Sequence, residues 1–255
     1  MRLLSPAVRS AIKARLPRGL NVGNPIVQLL LNDGRSTRLG LVNFPSFLAP
    51  AQGVDYRYTV SVFDEDGRET GSTVVDVPRY GATEVELAEV FAERLPAMGM
   101  LAVSIRPARF LSLRDRHLGR IRPHFFTLFS SPGMESVGLV HPQTHLNAPA
   151  APERRWLSNL LIDASAVERV ELFQVNPGRV PVDTEAFLHG AQGTVLARSS
   201  ARIPARGTRR VVFELKPFAA EHPSVSVGLH GLAAANGKPI LFLHFRDGSF
   251  TCCHA

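Results

Sequence analysis

Cysteine is almost missing: Cys252 and Cys253, side by side, are the only two in 255 residues. Neighbours in sequence close only a strained ring, so a disulfide framework of the kind that staples small secreted domains is excluded. Lysine is nearly as rare for a basic chain: Lys13, Lys216 and Lys238 are the only ones, leaving 29 − 3 = 26 arginines. No apolar run approaches the ~18 residues of a membrane-spanning helix, and the first residues lack the unbroken apolar stretch of a secretory signal. There is no G-x-G-x-x-G and no P-loop to cradle a phosphate. Gly133-Met134-Glu135-Ser136-Val137-Gly138 has the wrong spacing for a nucleophile elbow,. These absences lead to the expectation of a cytoplasmic protein without a nucleotide site or an assembled hydrolase motif.

What is present is enough apolar material, 45%, to build cores, in a chain long enough for two ordinary domains,. The formal charge is +7 and the pI about 10.2. That balance admits an anionic partner, although the arginines are scattered rather than gathered into a block, which argues against specific nucleic-acid recognition.

The chain repeats itself. Val62–Leu87 aligns without a gap on Leu188–Phe213 at an offset of 126, placing Gly67 on Gly193, Pro78 on Pro204, Gly81 on Gly207 and Val85 on Val211. Both copies read as turn glycine, strand, proline, glycine turn, strand. In Tyr56–Phe63, Tyr56, Tyr58, Val60 and Val62 alternate with Arg57, Thr59 and Ser61, the period of a half-buried strand,. Many short strands with turn signals every 8–12 residues argue for an all-β fold. Each half resembles an immunoglobulin-like or fibronectin-like β-sandwich. The resemblance implies two tandem sandwiches from an internal duplication and carries no functional residue, because such folds host many activities. The expected organisation is a basic amphipathic helix over residues 1–20, a first sandwich over 21–146, a Pro/Ala linker over 147–153 and a second sandwich over 154–255. The repeat further predicts Pro78 and Pro204 at strand ends, since proline cannot donate to a ladder. Gly81 and Gly207 are expected at positive φ, with Val85 and Val211 pointing inward and Thr83 and Arg209 outward.

Two constellations carry chemistry. Arg106, Arg109, Arg114, Arg116, Arg120 and Arg122 form a basic segment opposed in sequence only by Asp115. Arginine forks of this kind hold carboxylate, sulfate or phosphate. His124, His141, His145, Cys252, Cys253 and His254 offer imidazole and thiolate ligands that would suit zinc or copper(I). Laying the last hairpins of the halves together puts His141 opposite His254. The acidic run Asp64-Glu65-Asp66 is expected in a solvated hairpin turn. The leading functional expectation is a non-enzymatic binding or scaffolding protein whose partner is a protein, a glycan or an anionic surface. The alternative is a metal-dependent enzyme or metal-binding protein with its His/Cys site between the halves. Residues 1–20 add a second alternative, peripheral membrane contact or organellar import.

Overall fold

The computed structural model describes residues 24–48, 50, 53–108, 123–133, 137–142, 144–158, 160–235 and 237–254. The expected helix over residues 1–20 lies outside them. The fold is all-β, 58% strand and 8% helix. Among the described residues no helix is long and apolar enough to cross a membrane.

The first half supplies strands β1 (Ile26–Leu31), β2 (Ser36–Val42), β3 (Tyr56–Asp64), β4 (Glu69–Val77), β5 (Ala82–Glu86), β6 (Met98–Pro107), β7 (Phe125–Ser130), β8 (Val137–Val140) and β9 (Thr144–His145). Two single-turn helices interrupt it, α1 (Phe44–Leu48) and α2 (Leu87–Phe91). The second half supplies β10 (Ala151–Leu157), β11 (Ile162–Asp163), β12 (Val167–Val175), β13 (Val182–His189), β14 (Val195–Ile203), β15 (Thr208–Glu214), β16 (Ser224–Leu232), β17 (Ile240–Phe245) and β18 (Phe250–His254). The alternation read in Tyr56–Phe63 is real: Tyr56, Tyr58, Val60 and Val62 are buried and the residues between them half-buried. β10 begins at Ala151, inside the stretch expected as a linker, and pairs there with Leu232. Proline costs this strand little, because β10 lies at the edge of its sheet,.

The strands form four sheets in a ring-like arrangement. Their orders are β4-β3-β6-β1-β9, β5-β2-β7-β8, β14-β13-β16-β10 and β15-β12-β17-β18, with β11 also on β16. Apart from β9 and β11, the second pair of sheets repeats the first strand for strand. The repeat extends to irregularities: one register shift falls between Val62 and Phe63 and another between Leu188 and His189, 126 residues apart in each case.

Pro78 directly follows β4 and Pro204 directly follows β14, as expected, and Val85 and Val211 are buried. The expected positive φ is displaced by one residue. It belongs to Tyr80 (58°) and Arg206 (59°), not to Gly81 and Gly207. The glycines are there for space, since a Cβ on Gly81 would sit 2.6 Å from the Pro78 ring and one on Gly207 2.5 Å from the Glu65 carbonyl oxygen and 3.0 Å from the Pro204 ring.

A matched pair of asparagines anchors these turns. Asn43, after β2, donates from Nδ2 to the carbonyls of Val54 (2.9 Å), Val77 (3.3 Å) and Pro78 (2.8 Å). Asn176, after β12, donates to Val180 (2.9 Å), Ile203 (3.4 Å) and Pro204 (2.8 Å). Their backbone N–H groups reach Gly81 O and Gly207 O. The amides tie the chain ends flanking each turn together, and the turns close on themselves through Gly81 N–H to Pro78 O (2.9 Å) and Gly207 N–H to Pro204 O (3.0 Å).

Each half has a core between its own two sheets. Tyr58, Val60, Leu39 and Phe125 fill the first; Leu172, Leu188, Val227 and Leu241 fill the second. A third cluster joins the halves: Leu29 and Leu31 of β1 and Phe129 of β7 meet Phe173, Phe242 and Phe250 from the other half. Fully burying each such aromatic contributes about 1.5–3 kcal/mol. The Asp64–Gly67 stretch is the hairpin turn expected, with Glu65 and Asp66 exposed, and it also touches the second half. Glu65 O accepts from Thr208 N (3.0 Å) and Arg209 Nη1 (2.9 Å), and Asp66 pairs with Arg209 at 2.9 Å.

Candidate functional site

Of the basic segment, Arg106 is the only described member; Arg109, Arg114, Arg116, Arg120 and Arg122 lie outside the described residues. Arg106 stands exposed near the end of β6, opposite Arg57 in the ladder. Arg57 forks onto Asp76 at 2.7 and 3.1 Å, a surface pair.

The histidines gather only in part. His124, His141 and His145 line one depression of about 420 Å³ beside Phe125 and Ile26. The His254 ring comes 5.0 Å from that of His141, and its Nε2 lies 2.6 Å from the His141 carbonyl oxygen. The facing of His141 and His254 expected from the repeat is therefore found. Burial holds the His124 and His254 imidazoles below their usual pKa,. The cysteines do not join them. Cys252 and Cys253 are successive residues of β18 and point to opposite faces, Cys252 into the cluster between the halves and Cys253 toward the second core,. Burial pushes the Cys252 thiol up to about 12 and raises that of Cys253 as well, the reverse of what a thiolate ligand needs,. Among the described residues no group of three or more His, Cys, Asp or Glu side chains is placed to hold a metal ion. The expected zinc or copper site is not assembled; strand alternation separates its sulfurs.

A charged cluster that sequence reading missed closes the seam between the halves. Arg35, 8% exposed, donates to Asp33 and to Glu171, each at 2.6 Å, and its guanidinium lies 5.3 Å and 5.0 Å from the Phe173 and Phe242 ring centres. His244 Nε2 lies 3.3 Å from Glu171, and Arg210 reaches Asp33 at 3.1 Å. Burial alone would raise the Glu171 carboxyl. His244 and Arg35 more than offset it and hold it at about 2,. Every charge in this cluster is answered by another, which is the character of a structural clamp.

The open face of the β14-β13-β16-β10 sheet is different. Three cross-strand rows run over it. The first is Arg155, His230, Glu185 and Ser200; the second is Leu157, Gly228, Phe187 and Arg198; the third includes Ser226 and His189. Gly228 interrupts the second row and opens a groove of about 850 Å³, with Leu157 58% exposed on one side and Phe187 on the other. A Cβ at Gly228 would meet His189 Nε2 at 2.8 Å. Arg198 lies 5.5 Å from the Phe187 ring centre, and His189 stacks on the same ring at 5.8 Å. The side chains of Arg155, Glu185 and His230 make no hydrogen bond or ion pair with any described residue. Hydrogen-bonding groups left uncommitted around an apolar slot are what a ligand site offers. The signal was present in the repeat. At the offset of 126, Thr59, Ser61, Ser72 and Ser104 become Glu185, Phe187, Arg198 and His230.

No protein-family model and no curated protein sequence matches the chain. Among solved structures it is similar to a glycosyl hydrolase family 2 member from Bacteroides cellulosilyticus, with 11% identity over 89% of this chain and 25% of that one, at a TM-score of 0.20. A Bacteroides uniformis beta-glucuronidase gives 12% identity over 93% and 27%, at 0.18. The exo-chitosanase CsxA of Amycolatopsis orientalis gives 11% over 80% and 24%, also at 0.18. The chain spans about a quarter of the length of these proteins, and likenesses of this size carry no argument about fold or activity.

Proposed function

We propose that the chain is a non-enzymatic binding protein built from two immunoglobulin-like sandwiches, 21–146 and 154–255, that arose by internal duplication, and that it binds through the open sheet face of the second. The shared strand order, the paired bulges and the Asn43/Asn176 anchors support the duplication. One observation carries the binding reading. The face of the first half equivalent to the groove is partly covered by the second half, through Val27, Phe63, Met100 and Ala102 against Val175. In the second half those positions hold Leu157, His189, Ser226 and Gly228, which line the groove together with Phe187 and the polar side chains beside it.

The test is a thermal-shift screen of the intact protein against saccharides, peptides and nucleotides. Wild type and the groove variants Phe187→Ala and Gly228→Leu are compared in parallel. A ligand that raises the Tm of wild type and of neither variant is the expected result. Equal shifts in all three proteins would remove the groove from the function. Chemical turnover of the bound ligand would overturn the non-enzymatic reading.

A further inference from the structure

Resting on the groove as the binding surface, we infer that its ligand is a saccharide bearing a carboxylate, a uronic-acid unit seated between Leu157 and Phe187. Three features converge on this chemistry. Leu157, Gly228 and Phe187 lie on three adjacent strands. At about 4.8 Å per strand the flanking backbones stand roughly 10 Å apart; the His189 imidazole reaches over the glycine, its Nε2 2.8 Å from where a Cβ would stand, so a single six-membered ring lies above that imidazole, between Leu157 and Phe187. A pyranose has an apolar face for the Phe187 ring and a rim of hydroxyls, each both a donor and an acceptor.

The polar groups beside the slot match such a rim. Glu185 accepts only, Arg155 donates only, and His230 between them does either according to its tautomer, all along one cross-strand row,. A phosphodiester backbone needs donors alone, and Glu185 would repel it. An extended peptide is disfavoured for another reason. It is held mainly through free backbone groups at a sheet edge, whereas the floor of the slot is the central strand β16, paired on both sides,.

The third feature is charge. Arg155 and Arg198 exceed Glu185 by one positive charge. Arg198 stands over Phe187 at the β14 end of the slot with no carboxylate partner among the described residues, so its fork is free for an anionic substituent of the ring,. The corresponding residue of the first half is Ser72, held by Ser61 at 3.2 Å.

Isothermal calorimetry on the intact chain distinguishes these sources of binding. The probes are tetrasaccharides of galacturonate, of mannuronate and of alternating glucuronate and N-acetylglucosamine, each with free and with methyl-esterified carboxylates, and adenosine monophosphate. At least one free-acid tetrasaccharide is expected to bind, with its ester at least tenfold weaker. Arg198→Gln should reduce the acid to the level of the ester, and Phe187→Ala should abolish both. An ester that binds as well as its acid, or tighter binding of the nucleotide, overturns the uronic-acid assignment and leaves the groove standing. Binding that survives both Phe187→Ala and Gly228→Leu overturns the groove itself. Failure of every saccharide to bind overturns the ligand class. Far-ultraviolet circular dichroism of each variant separates lost binding from lost folding; should Gly228→Leu not fold, Phe187→Ala serves in its place.

Discussion

The two halves share a frame and differ in what they do with one face of it. Along β3 and β6 the first half carries Thr59, Ser61, Phe63, Met100, Ala102 and Ser104, and the part nearest β1 is closed by its neighbour. Along β13 and β16 the second carries Glu185, Phe187, His189, Ser226, Gly228 and His230, and nothing in the described residues closes it. Ladder, bulge and anchor are the same on both sides. A sheet face is therefore free to change its role while the opposite face, which fills a core, holds the frame constant. The comparison teaches that the frame resides in the inward-facing residues and the turns, and the use in the outward-facing ones.

The comparison breaks most severely at the seam. Arg35→Met leaves the buried Glu171 carboxylate with only the longer contacts of Arg210, Arg169 and His244 and is expected to cost about 2–4 kcal/mol,. Chemical denaturation of the variant should show this as a fall in midpoint; a loss below about 1 kcal/mol would mean the halves do not depend on the clamp. The anchors come next. Asn43→Ala and Asn176→Ala each remove a buried amide that holds two chain segments together through several carbonyls, and each is expected to cost roughly 1–3 kcal/mol,. Costs agreeing within about 1 kcal/mol sharpen the equivalence of the halves, and a large inequality breaks it.

Acid gives a third measure. The Glu171 carboxyl is depressed in the folded state, from 4.5 to about 2. A depressed acid contributes stability that is fully present above its unfolded pKa and lost as pH falls toward the folded one. Unfolding free energy measured in steps from pH 6 to pH 2 should therefore decline between about 4.5 and 2, and Glu171→Gln should flatten that decline. The smallest effect belongs to the docked hairpin. Asp66→Ala removes a largely exposed pair with Arg209 and is expected to cost less than about 1 kcal/mol, an effect that 1 M salt should erase,. A larger cost would show that this hairpin, which has no docked counterpart at Gly190–Gly193, contributes more to the seam than its exposure allows.

Much of the frame was legible because it is written locally. Alternation marked β3, proline marked the ends of β4 and β14, and the offset of 126 paired Val85 with Val211. The turn geometry was legible only halfway. Glycine at Gly81 and Gly207 pointed to the right turns, but its reason is close approach, by the Pro78 ring at the first and by the Glu65 carbonyl at the second, while Tyr80 and Arg206 take the strained φ. The seam could not be read, since Arg35 and Glu171 meet across 136 residues without local pattern. The cysteines could have been separated in advance, for adjacent residues of a strand cannot face one ligand. The groove was also within reach: substitutions from serine and threonine to charged and aromatic residues between two aligned copies mark where the copies diverged in use.

Cys252 gives the seam a chemical voice. β18 runs beside β8, and Cys252 is packed so closely on Gly138 that a Cβ there would lie 2.2 Å from its Sγ. A thiol this protonated and this enclosed reacts with an alkylating reagent only while the two strands are apart,. Its labelling rate under native conditions therefore counts the moments at which one half lifts from the other. Mass spectrometry of intact protein can follow that breathing without denaturant, Cys253 on the opposite face serving as the internal clock.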